Sequence, residues 1–515
     1  MNPPAEIMHR DSLRRRPAIV FGLVFLVVSS AQWWLVRAYG SPLPFWDQWG
    51  AEGLRLYLPW LQGRLRLADL FAAHNEHRLV LTNLLNLALF ELNGRWDPML
   101  QMAVNASLRG CCAVLVLHLA GIRNSNWDRI TVWMTVIVFL APYDWQNALW
   151  GFQSQHYVTQ LLSLLAGAGL ALARPFSGIW WAGCLAVLLA PLATASAPLA
   201  AVAAGGVLVV AALCRLRSWR NAAPGLVAAA GGLLLAFVLR ADAPQHEYLK
   251  VTTASQFLLV LMNSLAWPSI DLPAAAAFSY LPLLVLVVVL FRRTLPDARA
   301  AMPALFLCFI AVLGAGAIAY FRGAGLPDAA PLSRYQAGLA LGAVGNLLAL
   351  VVLRNTAPSG TLLRAWRLLA VLWLALFVPG LVRLTYANYA VHLPFKQKTD
   401  QIQRTNLTAY VATRDPDVLT GKSLFEIGDT SSSELRAVLD DPVLQPYLPA
   451  SLQVRPPPAT ILERMVSGLL FISPGICCGA LLLLAGILCG RPRRLFAFQT
   501  AGGPPGPGGA GHIQL

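Results

Sequence analysis

The sequence predicts an all-α polytopic membrane protein with about 12 transmembrane helices and with both termini in the cytoplasm. Of its 515 residues, 57% are hydrophobic and only 12% are charged, and the mean hydropathy is +0.59. A soluble domain carries about a quarter charged residues, so lipid must surround most of this chain. Apolar runs of about 20 residues recur along it, the length that a helix needs to span a bilayer. Arginines stand in short groups between these runs, as in proteins whose basic loops stay in the cytoplasm.

The apolar runs give the first outline of the membrane domain. Those that are long enough to cross the bilayer, or nearly so, lie at about 17–37, 98–120, 129–142, 155–173, 177–193, 196–214, 224–240, 275–291, 301–320, 336–354, 367–384 and 464–489. The net charge of +15 does not indicate a nucleic-acid partner, because the basic residues are not gathered on one soluble module. The eight cysteines all lie in or beside apolar runs, which favours packing over disulfides or metal binding.

Two shorter apolar runs, at about 79–94 and 256–270, are ambiguous. If the first crossed the membrane, Arg123 and the arginine groups after it would face outward. If it instead lies along the outer surface, as its polar residues favour, seven arginine groups fall on the cytoplasmic side. We therefore predict a surface helix at 79–94. The run at 256–270 cannot cross the membrane either, because an extra crossing would place the later arginine groups outside. It must therefore be re-entrant or interfacial.

These assignments divide the chain into five parts. We predict a cytoplasmic N-terminus, a transmembrane domain whose first outer loop is 38–97, an outward periplasmic segment, a last transmembrane helix and a disordered, Gly/Pro-rich cytoplasmic tail. Their bounds are 1–16, 17–384, 385–463, 464–489 and 490–515. Lysine occurs at only four positions, and this preference for arginine suggests a GC-rich bacterial genome, so the expected location is the bacterial cytoplasmic (inner) membrane.

The first outer loop holds the richest group of polar residues. Asp47 stands between Trp46 and Trp49, and Glu52 follows it by five residues. Asp47 has the chemistry of a general base or a ligand for a divalent cation. The alternative is a helix N-cap flanked by interfacial tryptophans. Glu52 is a candidate catalytic acid, or an exposed glutamate in a first helical turn that has no special role.

The same loop closes with a second cluster, His74-Asn75-Glu76-His77-Arg78. Imidazole beside carboxylate suits a transition metal or zinc, whereas Mg²⁺ and Mn²⁺ prefer oxygen ligands. The H-x-x-H spacing differs from the helical H-E-x-x-H signature, so a zinc protease is not indicated. The alternative interpretation is the solvated polar start of a helix.

Further candidates stand in later outward segments. Asn147, Trp150 and Gln153 combine amides with an aromatic face, as a sugar site requires, although an interfacial aromatic belt gives the same pattern. Arg334, at the outer end of a span, can hold a phosphate or extend toward the membrane surface. Arg109 lies inside the 98–120 span and needs a buried partner. Candidate partners for Arg109 are Asp47, Glu76 and Glu91.

The pattern as a whole resembles the GT-C superfamily of membrane glycosyltransferases, which use polyprenyl-phosphate-linked sugars. An inward N-terminus leads to a long outer loop with an early acid, a His/Glu element and a surface helix, then to many spans and a C-terminal outward segment. The likeness in architecture covers most of the chain, but the likeness in motif is confined to about 45–98. In relatives of the protein mannosyltransferase and aminoarabinose transferase type, the early acid acts on the acceptor or binds a metal. Asp47 matches that acid, and 74–78 occupies the place of a later element whose prolines are absent here.

The resemblance implies glycosyl transfer to a glycan, lipid or protein acceptor on the outer face of the membrane. Asp47 would orient or deprotonate the acceptor, or with Glu76 bind a divalent cation such as Mg or Mn. Glu52, Glu76 and the histidines would complete the polar site, and Arg334 and Arg109 would steady the departing lipid phosphate. The sequence is compatible with three other hypotheses for the function: a transporter or flippase for a lipid-linked glycan, an O-antigen-type polymerase or ligase, and a non-catalytic membrane scaffold. The concentration of polar residues in outer loops favours surface chemistry over transport.

Overall fold

The computed structural model describes residues 5–121, 126–295, 297–357 and 360–489. Within these ranges all the regular secondary structure elements are helices joined by turns and loops. The same ranges contain no strand, only a single isolated bridge between His74 and His77. The predicted all-α class is therefore confirmed. Arg123 and the predicted tail at 490–515 lie outside the described residues.

The helices of eight or more residues are numbered here in chain order, with π-helices and 3₁₀ turns left unnumbered. They are α1 (Ala5–Tyr39), α2 (Val80–Asn93), α3 (Pro98–Ala120), α4 (Asn126–Leu140), α5 (Ser154–Ala166), α6 (Gly178–Leu189), α7 (Leu199–Leu213), α8 (Trp219–Val238), α9 (Ala254–Leu265), α10 (Leu281–Phe291), α11 (Ala301–Arg322), α12 (Gln336–Asn355), α13 (Gly360–Ala387), α14 (Leu393–Thr413), α15 (Ser432–Leu439) and α16 (Ile461–Cys489).

Seven stretches of the described chain are helical, long and apolar enough to cross a membrane. They are Pro17–Tyr39, Pro98–Ala120, Trp219–Val238, Ala298–Gly325, Pro327–Asn355, Gly360–Thr413 and Ile461–Cys489. The other five predicted spans coincide with α4, α5, α6, α7 and α10, which have only 11 to 15 residues. Several of these helices are interrupted rather than simply short. The α5 helix, for example, continues as the π-helix Gly167–Leu172.

The connections between helices meet at two ends of the bundle. At one end, here called the loop end, the first loop contacts later connections: His77 Nδ1 accepts from Ala195 N at 3.1 Å, and Arg78 Nε donates to Leu239 O at 2.6 Å. At the other end, Arg217 after α7 donates to carbonyls that follow α5. The loops that the arginine pattern assigns to one side of the membrane thus share one end of the structure.

The two ambiguous runs both stay at the loop end. The α2 helix begins beside α5, where Thr82 accepts from Ser154, and it ends where Asn93 Nδ2 lies 3.4 Å from Glu463 at the start of α16. The helix therefore lies across the end of the bundle, and its position on the outer membrane surface stays a prediction. The α9 helix behaves similarly, because contacts from both of its halves reach the single connection 323–335.

The segment after α13 covers the first loop. The helix predicted to end near 384 instead continues through a π-turn at Asn388–His392 into α14, which ends at Thr413. Trp46 N donates to Gly428 O at 2.6 Å, and Gln403 Nε2 donates to Pro44 O at 2.9 Å. The two segments share an apolar cluster that includes Trp49, Leu56, Tyr57, Leu407, Leu435 and Val438. The loop and its cover thus form one packed layer on the bundle.

Candidate functional site

Asp47 immediately precedes the π-helix Gln48–Tyr57 at the loop end. Its carboxylate accepts no capping hydrogen bond from that helix, so the alternative role of an N-cap is not realised. Trp46 before it adopts a left-handed conformation with φ of 49°, which is uncommon for a bulky residue. Asp47 Oδ1 instead lies 3.6 Å from His74 Nε2, and 28% of the Asp47 side chain is exposed. The carboxylate therefore has an imidazole nearby that does not hydrogen-bond to it, and it is open to a ligand.

The contacts of His74 determine where its proton lies. Arg55 Nη2 is 3.1 Å from His74 Nδ1, and a guanidinium can only donate, so Nδ1 must be the acceptor. The proton of the neutral imidazole is then on Nε2, which faces Asp47. Arg55 thus orients the His74 ring, and the ring directs its N–H toward the Asp47 carboxylate.

Glu76 joins three segments of the loop end: its own loop, the connection after α8 and the end of α11. It forms an ion pair with Arg322, and its Oε2 lies 2.7 Å from His246 Nδ1. His77 Nδ1 accepts from Ala195 N, so its Nε2 carries the proton and faces Glu76 Oε1 at 3.6 Å. Burial lowers the pKa of His77 to about 4, with smaller contributions from neighbouring histidines, so this ring is neutral at pH 7. The ion pair with Arg322 and the close contact with His246 make Glu76 an anchor for the surrounding loops.

Arg334 is held against aromatic rings beside Asp47. Its guanidinium carbon lies 5.6 Å from the Trp46 ring and 5.1 Å from the Tyr335 ring. Trp46 in turn stacks on Trp150, with ring centroids 5.7 Å apart and planes within 2°. In the described part of the chain no carboxylate pairs with Arg334. An arginine with unused donors is therefore positioned next to the candidate acid, and such a group can bind an anion.

The predicted sugar-binding residues are mainly occupied by internal contacts. Trp150 is buried, and its Nε1 donates to Phe45 O at 2.9 Å. Asn147 Nδ2 donates to Arg334 O at 3.0 Å, so this amide positions the backbone of the arginine. Gln153 is also buried and accepts from a neighbouring amide. These side chains support the site, but the geometry gives none of them a free face toward a ligand.

Two of the arginines predicted to bind substrate, Arg78 and Arg109, are likewise occupied by contacts within the protein. Arg78 donates to Leu239 O and to Phe71 O, each at 2.6 Å, and so ties the first loop to the end of α8. Arg109 is fully buried and forms an ion pair with Asp144. The three partners predicted for Arg109 are therefore wrong. The packing of α3 against α4 brings the residue close to the turn that follows α4, where Asp144 lies.

Glu52 belongs to a different environment from Asp47. It is completely buried, so the interpretation as an exposed first-turn glutamate is wrong. Burial raises its pKa from 4.5 to about 7, although five neighbouring donors oppose this shift or satisfy its oxygens. These donors are Gln48, Tyr57, Asn86, Trp96 and Gln101. None of them belongs to the group around Asp47, so Glu52 joins the first loop to α2 and α3.

The arrangement of carboxylates does not fit a metal site. Among the described residues, no group of three or more His, Cys, Asp or Glu side chains has a geometry that could hold a metal ion. Asp47 is paired with His74 and Glu76 with Arg322, so each carboxylate already faces a donor. We therefore derive no step through a metal ion, and the predicted Mg or Mn ion stays a prediction.

Arg322 and His246 were not predicted from the sequence. Arg322 carried a usable signal, because it stands at the end of a span that the arginine pattern predicts to face outward, and an arginine there is an exception to the positive-inside pattern. His246 stands alone in the connection between α8 and α9, and only the fold brings it to Glu76.

Comparisons with protein-family models, with curated proteins and with solved structures find no match for this chain. The residues of the site itself are therefore the basis for proposing a function.

Proposed function

We propose that the protein is a glycosyltransferase of the bacterial cytoplasmic membrane. In this proposal it crosses the membrane about 12 times with both termini inside, so the loop end faces outward. It transfers a sugar from a polyprenyl-phosphate donor to a hydroxyl of a glycan, lipid or protein acceptor. The apolar helices below the site accommodate the polyprenyl chain among the membrane lipids.

One observation carries the proposal: a carboxylate, and an arginine that pairs with no carboxylate among the described residues, are held by consecutive residues of one loop. Asp47 is the acid, and the ring of Trp46 supports Arg334. A carboxylate suits proton transfer from a hydroxyl, and a guanidinium suits a phosphate. Both groups lie at one end of a bundle whose long helices are apolar, where a lipid-linked phosphate would arrive.

The proposed reaction is a displacement at the anomeric carbon of the donor sugar. The acceptor oxygen forms a bond to that carbon, and the bond from carbon to phosphate oxygen breaks. The electron pair leaves with the phosphate, whose added negative charge Arg334 stabilises. The acceptor proton moves to a carboxylate oxygen of Asp47, and the Nε2–H group of His74 keeps that carboxylate in place. Glu76 and Arg322 hold the surrounding loops and take no part in bond making.

The experiment is replacement of Asp47 by asparagine, with Asp69→Asn as the matched control. Asp69 lies in the same loop, but it pairs with the exposed Arg66, and such a pair contributes little to stability. Loss of a general base is expected to slow transfer by about 10²- to 10⁴-fold. Cell-surface glycan should therefore disappear in the D47N strain, and polyprenyl-phosphate sugar should accumulate. Unchanged glycans in D47N and in D47N combined with His77→Ala, at normal protein levels, would refute the proposal.

A further inference from the structure

A second cavity lies at the loop end, apart from the candidate site. Its volume is about 390 Å³, within the range of about 300–1,000 Å³ for ligand pockets. Its walls come from the end of α1, the start of α3, the first turns of α16 and the turn 449–451. None of the residues around Asp47 lines it. The cavity is therefore a separate place where a ligand can bind.

One side of the cavity presents a cation. Arg37, in the last turn of α1, lies at the opening and is exposed to solvent. Its Nη1 donates to Phe471 O at 3.0 Å, and its guanidinium carbon lies 4.6 Å from the Phe471 ring. In the parts of the chain that the structure describes, no carboxylate pairs with it. Most of its five N–H groups remain for a ligand with anionic oxygens.

The opposite side presents acceptors. Asp97 caps α3 through a hydrogen bond from Met99 N at 2.8 Å, and Glu463 pairs with Arg95. Ser451 Oγ is buried, and within the described residues it has no hydrogen-bond partner. Because Arg37 and Asp97 line one cavity without pairing with each other, the cavity contains separated charges of both signs.

The floor and rim of the cavity are apolar. Leu470 is buried against α1, whereas Met465 and Phe471 on the same helix are each 65% exposed. These exposed side chains belong to a helix that is long and apolar enough to span a membrane, so hydrocarbon chains would cover them. A ligand that fills the cavity can therefore continue along α16 as an apolar tail.

We propose that this cavity binds a zwitterionic, amine-bearing phospholipid. Arg37 holds the phosphate, Asp97 and Ser451 receive the ammonium group, and the acyl chains lie along the exposed face of α16. A free phosphate would leave the apolar face unused, and an anionic lipid without an amine has no donor group for Asp97 and Ser451. The inference requires only a position in a membrane and does not depend on the proposed glycosyl transfer.

Native mass spectrometry of the full chain in detergent tests this inference, with equal amounts of phosphatidylethanolamine and phosphatidylglycerol added. Two variants damage the cavity: Arg37→Gln removes the cation, and Ser467→Trp fills the space from its lining. Two controls lie on the same helix outside the lining. Arg464→Gln removes an exposed arginine, and Gly468→Trp adds a side chain where a Cβ meets nothing within 4 Å.

The expected result is that one phosphatidylethanolamine stays bound to the wild type and to both controls. Its occupancy should fall at least about fivefold in R37Q and in S467W, because one charge-assisted phosphate contact or the binding space is lost. Retention that is equal in the wild type and both cavity variants would overturn the inference. The same holds if the wild type retains no lipid or prefers phosphatidylglycerol.

Discussion

Replacement of Glu52 by glutamine tests whether its buried charge stabilises or destabilises the fold. Burial raises the pKa of this carboxyl from 4.5 in the unfolded chain to about 7 in the fold. Between these values the folded protein keeps a proton that the unfolded chain has lost, so the free energy of unfolding falls as pH rises. A difference of about 2.5 pH units, at about 1.4 kcal/mol for each, corresponds to a loss of about 3 kcal/mol above pH 7.

The surroundings of Glu52 can accommodate an amide. Its Oε2 accepts from four donors, among them Trp96 Nε1 and Gln101 Nε2, each at 2.9 Å, and an amide oxygen can take that place. The amide nitrogen would then replace Oε1, which accepts from Asn86 Nδ2 at 2.7 Å. Asn86 Oδ1 is buried without a hydrogen-bond partner among the described residues, so a flip of the Asn86 amide turns an acceptor toward the new donor. Alanine, in contrast, would leave the same donors unpaired.

Thermal unfolding in detergent across pH 4.5 to 8 measures the effect. We expect E52Q to match the wild type near pH 4.5 and to exceed it by up to about 3 kcal/mol at pH 8. Glu52→Ala should be strongly destabilised at every pH, since each unsatisfied buried group costs about 1–3 kcal/mol. Glu91→Gln, on the exposed face of α2, is the control and should change little. An E52Q protein less stable than the wild type at pH 8 would refute the reasoning. Glycosyl transfer retained by E52Q would assign Glu52 a structural role rather than the predicted catalytic one.

Three further predictions concern other residues of the loop end. Asp144→Asn should lower the free energy of unfolding by about 3–5 kcal/mol because it leaves the Arg109 charge buried and unpaired. A double replacement of both by leucine should recover most of this loss, and no recovery would contradict the pairing. The pKa of His77 falls from 6.5 to about 4 on folding, so the contribution of this residue to the free energy of unfolding should decline by up to about 3 kcal/mol as pH falls through that window, opposite in sign to the contribution of Glu52. In His77→Asn the amide oxygen can replace Nδ1 as the acceptor for Ala195 N, and the variant should gain up to about 3 kcal/mol relative to the wild type between pH 6.5 and pH 4; an unchanged difference between the two proteins would count against this prediction. Arg334→Gln should raise KM for the lipid-linked donor by about 10- to 100-fold, and an unchanged KM in donor titrations would exclude a phosphate contact.

The parts of the fold that the sequence predicts are those that local patterns encode. Helical class follows from hydrophobic run length, and the position of α2 across the loop end follows from the alternation of arginine groups. The number of membrane-spanning helices is harder to predict from the sequence, because interruptions such as the π-helix Gly167–Leu172 shorten the α-helices within apolar runs. The end of α13 was missed for the opposite reason, since amphipathic sequence after 385 continues the helix as far as Thr413.

In the candidate site, too, contacts within one segment can be predicted from the sequence, whereas contacts between distant segments cannot. Asp47 and His74 belong to one loop, so their meeting was within reach of a sequence argument. Contacts between residues of distant segments could not be predicted from the sequence, because the packing of the helices determines them. Arg109 forms its ion pair with Asp144 rather than with any predicted acid, and Glu76 pairs with Arg322, which is more than 200 residues away in sequence. The burial of the Glu52 side chain could not be predicted either, because the sequence around Glu52 is as polar as that around Asp47.

The cover formed by the segment after α13 has a consequence for biosynthesis. The first loop leaves the ribosome early, yet the apolar cluster that it shares with Leu407, Leu435 and Val438 closes only near the end of translation. Until residues 407–438 have been synthesised, the nascent protein displays Trp49 and its neighbours without their final cover. A chain truncated before 400 should therefore insert its helices but expose this apolar cluster to chaperones and proteases. Synthesis of the late segment thus completes the packed layer that holds the first loop.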